Sequence, residues 1–246
     1  MSTLQNLSGT YTLDTSHTEI GFAARHAMVT KVRGAFTDFD GTAVTGPNLE
    51  GARINVNIQA ASVDTGNGDR DGHLRSGDFF DVENYPLITF TSTEITNPEE
   101  ETLRVAGDLT IKDVTRPVVI DFEFDGVATD PFGNERVGLS GKVVVNRKDF
   151  GLEWNAALET GGVLVSENVT LTFEISAIKT PESTDGDVAQ AEAVEANAAA
   201  GDVVEDVVAE EPVAGQAAQA RVEEPVRAAS TEKKGGFGAW LKRLFG

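Results

Sequence analysis

The sequence predicts an all-β domain, an antiparallel barrel or sandwich of about eight or nine strands. Three observations lead there. Apolar residues recur with a period of two through most of the first 180 residues. Clusters of Asn, Gly, Asp and Pro separate the alternating runs. A sharp change of composition near Pro181 then confines the folded part to residues 1–180.

In chain order, strands are expected near 9–14, 18–27 and 32–45. Ile54, Val56 and Ile58 then alternate with Arg53, Asn55, Asn57 and Gln59. A further strand is expected near 87–95. Leu103, Val105, Leu109 and Ile111 keep one parity through Gly107. Val118, Ile120, Phe122 and Phe124 oppose Val119, Asp121, Glu123 and Asp125. After a strand near 136–146, Val169, Leu171, Phe173 and Ile175 oppose Thr170, Thr172 and Glu174. Such one-sided strands belong in antiparallel sheets with one covered face. Residues 69–85 and 148–166 break the pattern and read as loops with short helical turns.

The inward face is expected to carry Ile20, Phe22, Phe36, Ile54, Val56, Ile58, Phe90, Val105, Leu109, Ile120, Phe122 and Phe124. An eight-stranded barrel either fills its interior with such side chains or leaves room for one small ligand. Ala23, Ala24, Gly34, Gly107, Gly138 and Gly141 lie among them. Small residues beside large ones open a channel or ease strand curvature, and pattern alone does not separate the two.

Composition narrows the function. The formal net charge is −20, from 20 Lys plus Arg against 40 Asp plus Glu. That argues against nucleic acid as a partner, because phosphates need a concentrated positive surface. Cysteine is absent, which removes disulfides, thiolate metal sites and cysteine nucleophiles. No metal site is expected of three scattered histidines, His17, His26 and His73, and no cofactor motif such as a Walker loop or HExxH occurs. No apolar run reaches the roughly 18 residues of a membrane span. The first ten residues lack a signal peptide's basic and apolar regions. The expected location is the cytoplasm, peripheral at the inner face of the cell membrane.

Residues 64–81 are dense in polar chemistry. Arg70, Asp71, His73, Arg75 and Asp78 suit a polar head group held at a barrel mouth. They equally suit a plug in which Leu74, Phe79 and Phe80 pack inward and the charges pair with one another.

Here the chain resembles the YceI-like family. The shared blocks are Asp14-x-x-His17-Thr18, Phe22-x-x-x-His26 and Gly34-x-Phe36-x-x-Phe39-x-Gly41. Asp64-Thr65, Arg70-Asp71-x-His73-Leu74-x-Ser76-x-Asp78-Phe79-Phe80-Asp81 and Tyr85-Pro86 follow. Gly107-x-Leu109-Thr110-Ile111, Thr115-x-Pro117-Val118 and Arg147-x-Asp149-Phe150-Gly151 complete the match. The resemblance implies an extended eight-stranded antiparallel lipocalin-like barrel with short helical segments, and a polyisoprenoid or similar long-chain lipid in an apolar channel. It departs from the family at Thr18, often Ser, and at Lys112-Asp113, often His-Gly. The expectation is a carrier or sequestering protein, not an enzyme. The inward residues above would line the lipid, or a quinone-like relative of it, and His26, Arg70, Asp71, His73 and Arg147 would orient its head group. An enzyme acting on a lipid or quinone head group, with His26, Asp71 or His73 as acid or base, is one alternative. A filled protein-interaction module is another, and a homodimer is left open.

Residues 181–232 hold no aromatic residue and read as a disordered Ala/Glu-rich acidic linker. In 233–246, Phe237, Trp240, Leu241, Leu244 and Phe245 form one helical stripe, with Lys242 and Arg243 beside it. That basic amphipathic pattern suits a membrane surface; a partner's groove and the chain's own barrel are the alternatives.

Overall fold

The computed structural model describes residues 3–159 and 161–181. The terminal helix and, apart from Pro181, the linker lie outside the described residues.

The strands are β1 (Gly9–Leu13), β2 (Glu19–His26), β3 (Thr30–Phe36), β4 (Phe39–Thr45), β5 (Arg53–Gln59) and β6 (Val63–Asp64). After helix α1 (Gly68–Arg75) come β7 (Leu87–Glu99), β8 (Thr102–Ile111), β9 (Val114–Thr129), β10 (Glu135–Asn146) and β11 (Asn168–Lys179). All pair antiparallel, and the order β1-β4-β5-β7-β8-β9-β10-β11 closes on itself through β1–β11. The remaining segments prolong that ring. β1 and β2 lie end to end on one edge of β11, β3 prolongs β4 beside β2, and β6 prolongs β5 beside β3. Three bent and five continuous strands make the expected eight-stranded barrel, with consecutive strands adjacent throughout.

Each bend has a cause. The run expected as one strand over 32–45 breaks after Phe36, where the Thr37 N–H turns to Ser62, 3.2 Å from its Oγ. Between β1 and β2, the Asp14 carboxylate accepts from the Arg136 guanidinium, lies 2.6 Å from His17 Nδ1 and accepts from Ser16 N–H. Arg136, first among these partners, holds the Asp14 carboxyl at about 2. The same guanidinium bonds Asp130 at 2.9 Å, so one side chain ties the bend to the β9–β10 turn.

Alternation then builds the interior. Leu103, Val105, Leu109 and Ile111 of β8 are all buried, whereas Val119 on the outer parity of β9 is exposed. Two apolar clusters result. One joins Ile20, Phe36, Ile58, Val63, Phe79, Leu109, Phe150 and Leu152. The other joins Leu4, Leu7, Tyr11, Leu103, Val105 and Val137.

Helix α1 has two glycines in eight residues, so propensity alone would not hold it. Asn67 caps it by accepting from Arg70 N–H at 3.0 Å. Asp69 and Asp71 stand in its first turn and His73 and Arg75 in its last, as the helix dipole favours. Arg75 donates to the carbonyls of Ala61 and Val63, both at 2.6 Å, and pins the helix to β6.

Candidate functional site

A cavity of about 240 Å3 runs between the two clusters, with Ile20, Phe36 and Phe150 of one and Tyr11, Leu103 and Val105 of the other in its wall. That is many times the roughly 10–15 Å3 one water needs. Thr42, Arg147 and the Tyr11 hydroxyl are the polar side-chain groups in the lining. Water there would find few partners, and a hydrocarbon chain would lose little.

Eleven of the twelve residues expected inside line this cavity: Ile20, Phe22, Phe36, Ile54, Val56, Ile58, Phe90, Val105, Leu109, Ile120 and Phe122. Phe124 also turns inward, packing against the Leu4 and Val105 cluster, but it is absent from the cavity lining, which corrects its expected place against the lipid. The register of β9 and β10 shifts just beyond Phe124, between Gly138 and Leu139, so Phe124 is the last inward residue of its parity before the bulge. Sequence periodicity missed Phe150, Leu152 and Val165, which also line the cavity. They come from a loop in which parity assigns no face. The Arg147-x-Asp149-Phe150-Gly151 block was the available signal. Gly151 adopts φ 72°, reversing the chain so that Leu152 returns to Arg147.

A second cavity of about 60 Å3 adjoins the first and shares Phe22, Ala24, Leu74, Phe79 and Val165 with it. Its polar residues are Arg25, His26, Thr65, Arg70 and His73. His26, Arg70 and His73 of the expected head-group set therefore meet at one end of the apolar space. Burial, then the Arg70 charge, lowers the His26 pKa from its ordinary value. Arg70 donates to the Thr65 hydroxyl at 2.7 Å and carbonyl at 3.0 Å. His73 is buried, with Nε2 2.9 Å from Asp78 and its ring edge-on to Phe79 and Trp154, centroids 5.0 and 4.5 Å away.

Asp71 stands apart. It lines neither cavity, and its Oδ1 accepts from Thr65 N–H at 3.0 Å and from the Thr65 hydroxyl. Asp71 and Arg75 thus lock the loop, while Leu74, Phe79 and Phe80 pack into the core. The plug and the second cavity are both present, built by different residues of one segment.

Arg147 lies in the wall of the large cavity and is 4% exposed. Its Nε donates to Ser166 O at 3.0 Å and Nη1 to Leu152 O. Its Nη2 is buried without a hydrogen-bond partner among the described residues. Burial lowers its pKa, and Glu167 opposes the shift. Ser166 also accepts from Arg25 N–H at 2.9 Å, which joins the Arg147 loop to β2 beside His26. Among the described residues, no group of three or more His, Asp or Glu side chains is arranged to hold a metal ion. No helix among them is long and apolar enough to cross a membrane.

A model of the YceI-like domain matches residues 11–177. UPF0312 proteins of several Staphylococcus aureus strains are 38% identical over 170 residues, which cover 68% of this chain and 95% of theirs. A YceI protein of Campylobacter jejuni superposes with a TM-score of 0.55 at 32% identity, covering 68% of this chain and 96% of that one. BcnA of Burkholderia cenocepacia shares the fold at TM-score 0.59 and 21% identity, covering 67% of this chain and 98% of its own. So does a polyisoprenoid binding domain of Saccharophagus degradans, at TM-score 0.55 and 18% identity, covering 69% and 98%.

Proposed function

The chain belongs to the YceI-like domain family, and from that premise we propose that it binds one long-chain isoprenoid or similar lipid as a carrier or sequestering protein. The observation that carries the reading is the apolar cavity of about 240 Å3, with Arg147 in its wall and Arg70 and His26 lining the smaller cavity that adjoins it. The tail lies among Ile20, Val56, Val105 and Phe122, and an oxygen-bearing head group lies toward His26, Arg70 and Arg147. A neighbour of the same fold, from Saccharophagus degradans, is described as a polyisoprenoid binding domain, which supports this ligand class.

Removal of apolar surface from water drives the binding. Each buried methylene contributes roughly 0.8 kcal/mol, so a chain of about twenty carbons outweighs several kcal/mol of ordering cost. Binding rather than catalysis fits the expected head-group side chains, since Asp71 lies outside both cavities, held by Thr65, and His73 is engaged by Asp78. The terminal segment, with its apolar stripe and four positive charges over 233–246, brings the acidic barrel to membrane surfaces at the inner face of the cell membrane. Native mass spectrometry of the full chain tests the ligand reading, since it reports bound mass and subunit number together. A long-chain lipid adduct is expected. A delipidated chain that takes up no prenol, prenyl quinone or other long-chain lipid overturns it.

A further inference from the structure

The β2–β3 hairpin stands out from the acidic chain around it. Residues 20–36 contain no Asp or Glu and carry Arg25, Lys31 and Arg33. All three are exposed, and none forms an ion pair among the described residues. Arg25 and Lys31 sit directly opposite each other in the ladder, and Arg33 faces Ala23 two positions along on the same side. Like charges placed opposite one another repel, so the arrangement weakens the hairpin it occupies.

The tip adds a second anomaly. Ala27 and Met28 have φ of 49° and 62°, and Val29 N–H bonds His26 O at 3.0 Å. The β-turn from His26 to Val29, within a three-residue loop, thus has both central residues left-handed, the conformation that Asn-Gly adopts at little cost. The chain places Ala-Met there instead, and strain of this kind marks functional segments. Met28 is 55% exposed and Val29 78%. Two apolar side chains are thus held out in water by a strained turn with cations on both flanking strands. The same strands supply Ala24, Arg25, His26 and Val32 to the smaller cavity.

We propose that this hairpin is the barrel's own contact with an anionic phospholipid bilayer, seating the polar end of the cavity on the membrane. Met28 and Val29 enter the interface, and Arg25, Lys31 and Arg33 meet the lipid phosphates. Charge selects this tip over the other exposed apolar turn. Phe132, 88% exposed, lies between β9 and β10 among Asp125, Asp130 and Glu135, where an anionic surface repels it. The hairpin gives the terminal segment's anchoring an orientation: the tail holds the protein near the bilayer, and the hairpin presents the cavity to it. Its purpose rests on the carrier reading, but its contact with lipid is measurable with no ligand in the barrel.

The chain has no cysteine, so Val29→Cys and, separately, Phe132→Cys in the full-length protein each accept one environment-sensitive fluorophore. Vesicles of phosphatidylcholine with about one-third phosphatidylglycerol should raise and blue-shift the label at 29 and leave the label at 132 as in water. Pure phosphatidylcholine should give a much weaker response. A second variant, Ala27→Asn with Met28→Gly, removes both the strain and one apolar anchor. It should melt at a higher temperature than the native chain, yet weaken the label-29 response and slow transfer of a fluorescent prenol from vesicles severalfold. A label at 29 that stays aqueous while the chain sediments with vesicles overturns the proposal. So does an equal response at 132, an equal response to heparin, or a chain that sediments with neither vesicle. Lipid uptake by the same variants reports separately on the carrier reading.

Discussion

Phe122 on β9 lies directly opposite Gly141 on β10, and its ring occupies the space a side chain at Gly141 would need, with Cδ1 2.7 Å from the Cβ position. The relationship recurs at Phe22 and Gly34, also directly opposite, where the ring's Cζ is 2.5 Å from that position. It recurs diagonally at Phe90 and Gly107, at 2.4 Å. In each case an inward aromatic ring lies along the wall over a glycine instead of crossing the lumen. Three large side chains therefore line the barrel without closing it. The cavity depends on these small-and-large pairs.

Replacing Gly141 or Gly107 by Ala should consequently narrow the cavity. A strand glycine replaced by alanine gains roughly 0.5–1 kcal/mol of backbone entropy. At Gly107, however, the Thr91 carbonyl lies 2.6 Å from the new Cβ and cannot swing away as a side chain can. Overpacking of that kind costs about 1–3 kcal/mol, so the clash wins. Urea denaturation should show Gly107→Ala destabilised and Gly141→Ala less so. Both should load less lipid by native mass spectrometry. Unchanged stability and loading in both would contradict the wall-packing account.

The same pairs show how far the sequence was readable. Period two identified the strands and eleven of twelve cavity residues, because antiparallel pleating forces alternate side chains to one face. The break after Asp14 was readable, with strands expected near 9–14 and 18–27, but the break at Thr37 was not, since it depends on a distant partner, Ser62. Glycines beside phenylalanines were visible as types, but whether they opened a channel or eased curvature depended on register. The polar end was legible as a dense motif only. Its division into loop locks (Asp71, Arg75) and cavity residues (His26, Arg70, His73) follows from which atoms face Thr65, Ala61 and Val63.

His26 should make stability depend on pH with a definite sign. Burial and the nearby Arg70 charge depress its folded pKa below the unfolded value of about 6.5. The folded state therefore binds fewer protons than the unfolded one. Its contribution is complete above the unfolded pKa and is lost as pH falls through the folded value. The native chain should thus lose more stability between pH 8 and pH 5 than His26→Gln, measured by denaturant titration at each pH. The imidazole resonance of His26 should titrate below the ordinary histidine range, and a bound anionic head group should move it upward. Parallel pH profiles for the two proteins would remove His26 as the cause.

Arg147 offers a test of head-group recognition. Its Nη2 is buried with no hydrogen-bond partner among the described residues, whereas Nε and Nη1 hold the Ser166 and Leu152 carbonyls. In Arg147→Met those carbonyls lose their donors, at a cost of about 1–3 kcal/mol each, offset in part by removing a buried charge. A modest loss of stability is expected. For ligand, the loss of one hydrogen bond of about 1.4 kcal/mol should lower affinity for a prenol or prenyl quinone about tenfold. Uptake of a plain alkane of similar length should not change. If alkane and prenol weaken equally, Arg147 shapes the wall and does not select the head group.

Membrane attachment separates the two ends of the chain. The folded part, residues 1–180, carries 27 acidic and 14 basic side chains, a net of −13, and an anionic bilayer repels it as a whole. The last fourteen residues carry four positive charges and no acidic side chain. A flexible chain of 52 residues would span roughly 40 Å, the separation at which the terminus could bind a surface without the barrel touching it. A helix of so few residues would be marginal in water, so the expected terminal helix would form on binding. Deleting residues 233–246 should abolish co-sedimentation with anionic vesicles and leave lipid loading intact. High salt should weaken attachment only in part, because screening acts on the lysines and Arg243 but not on the apolar stripe of Phe237, Trp240, Leu241, Leu244 and Phe245. A truncated chain that sediments as well as the complete one would transfer the anchoring role to the barrel itself.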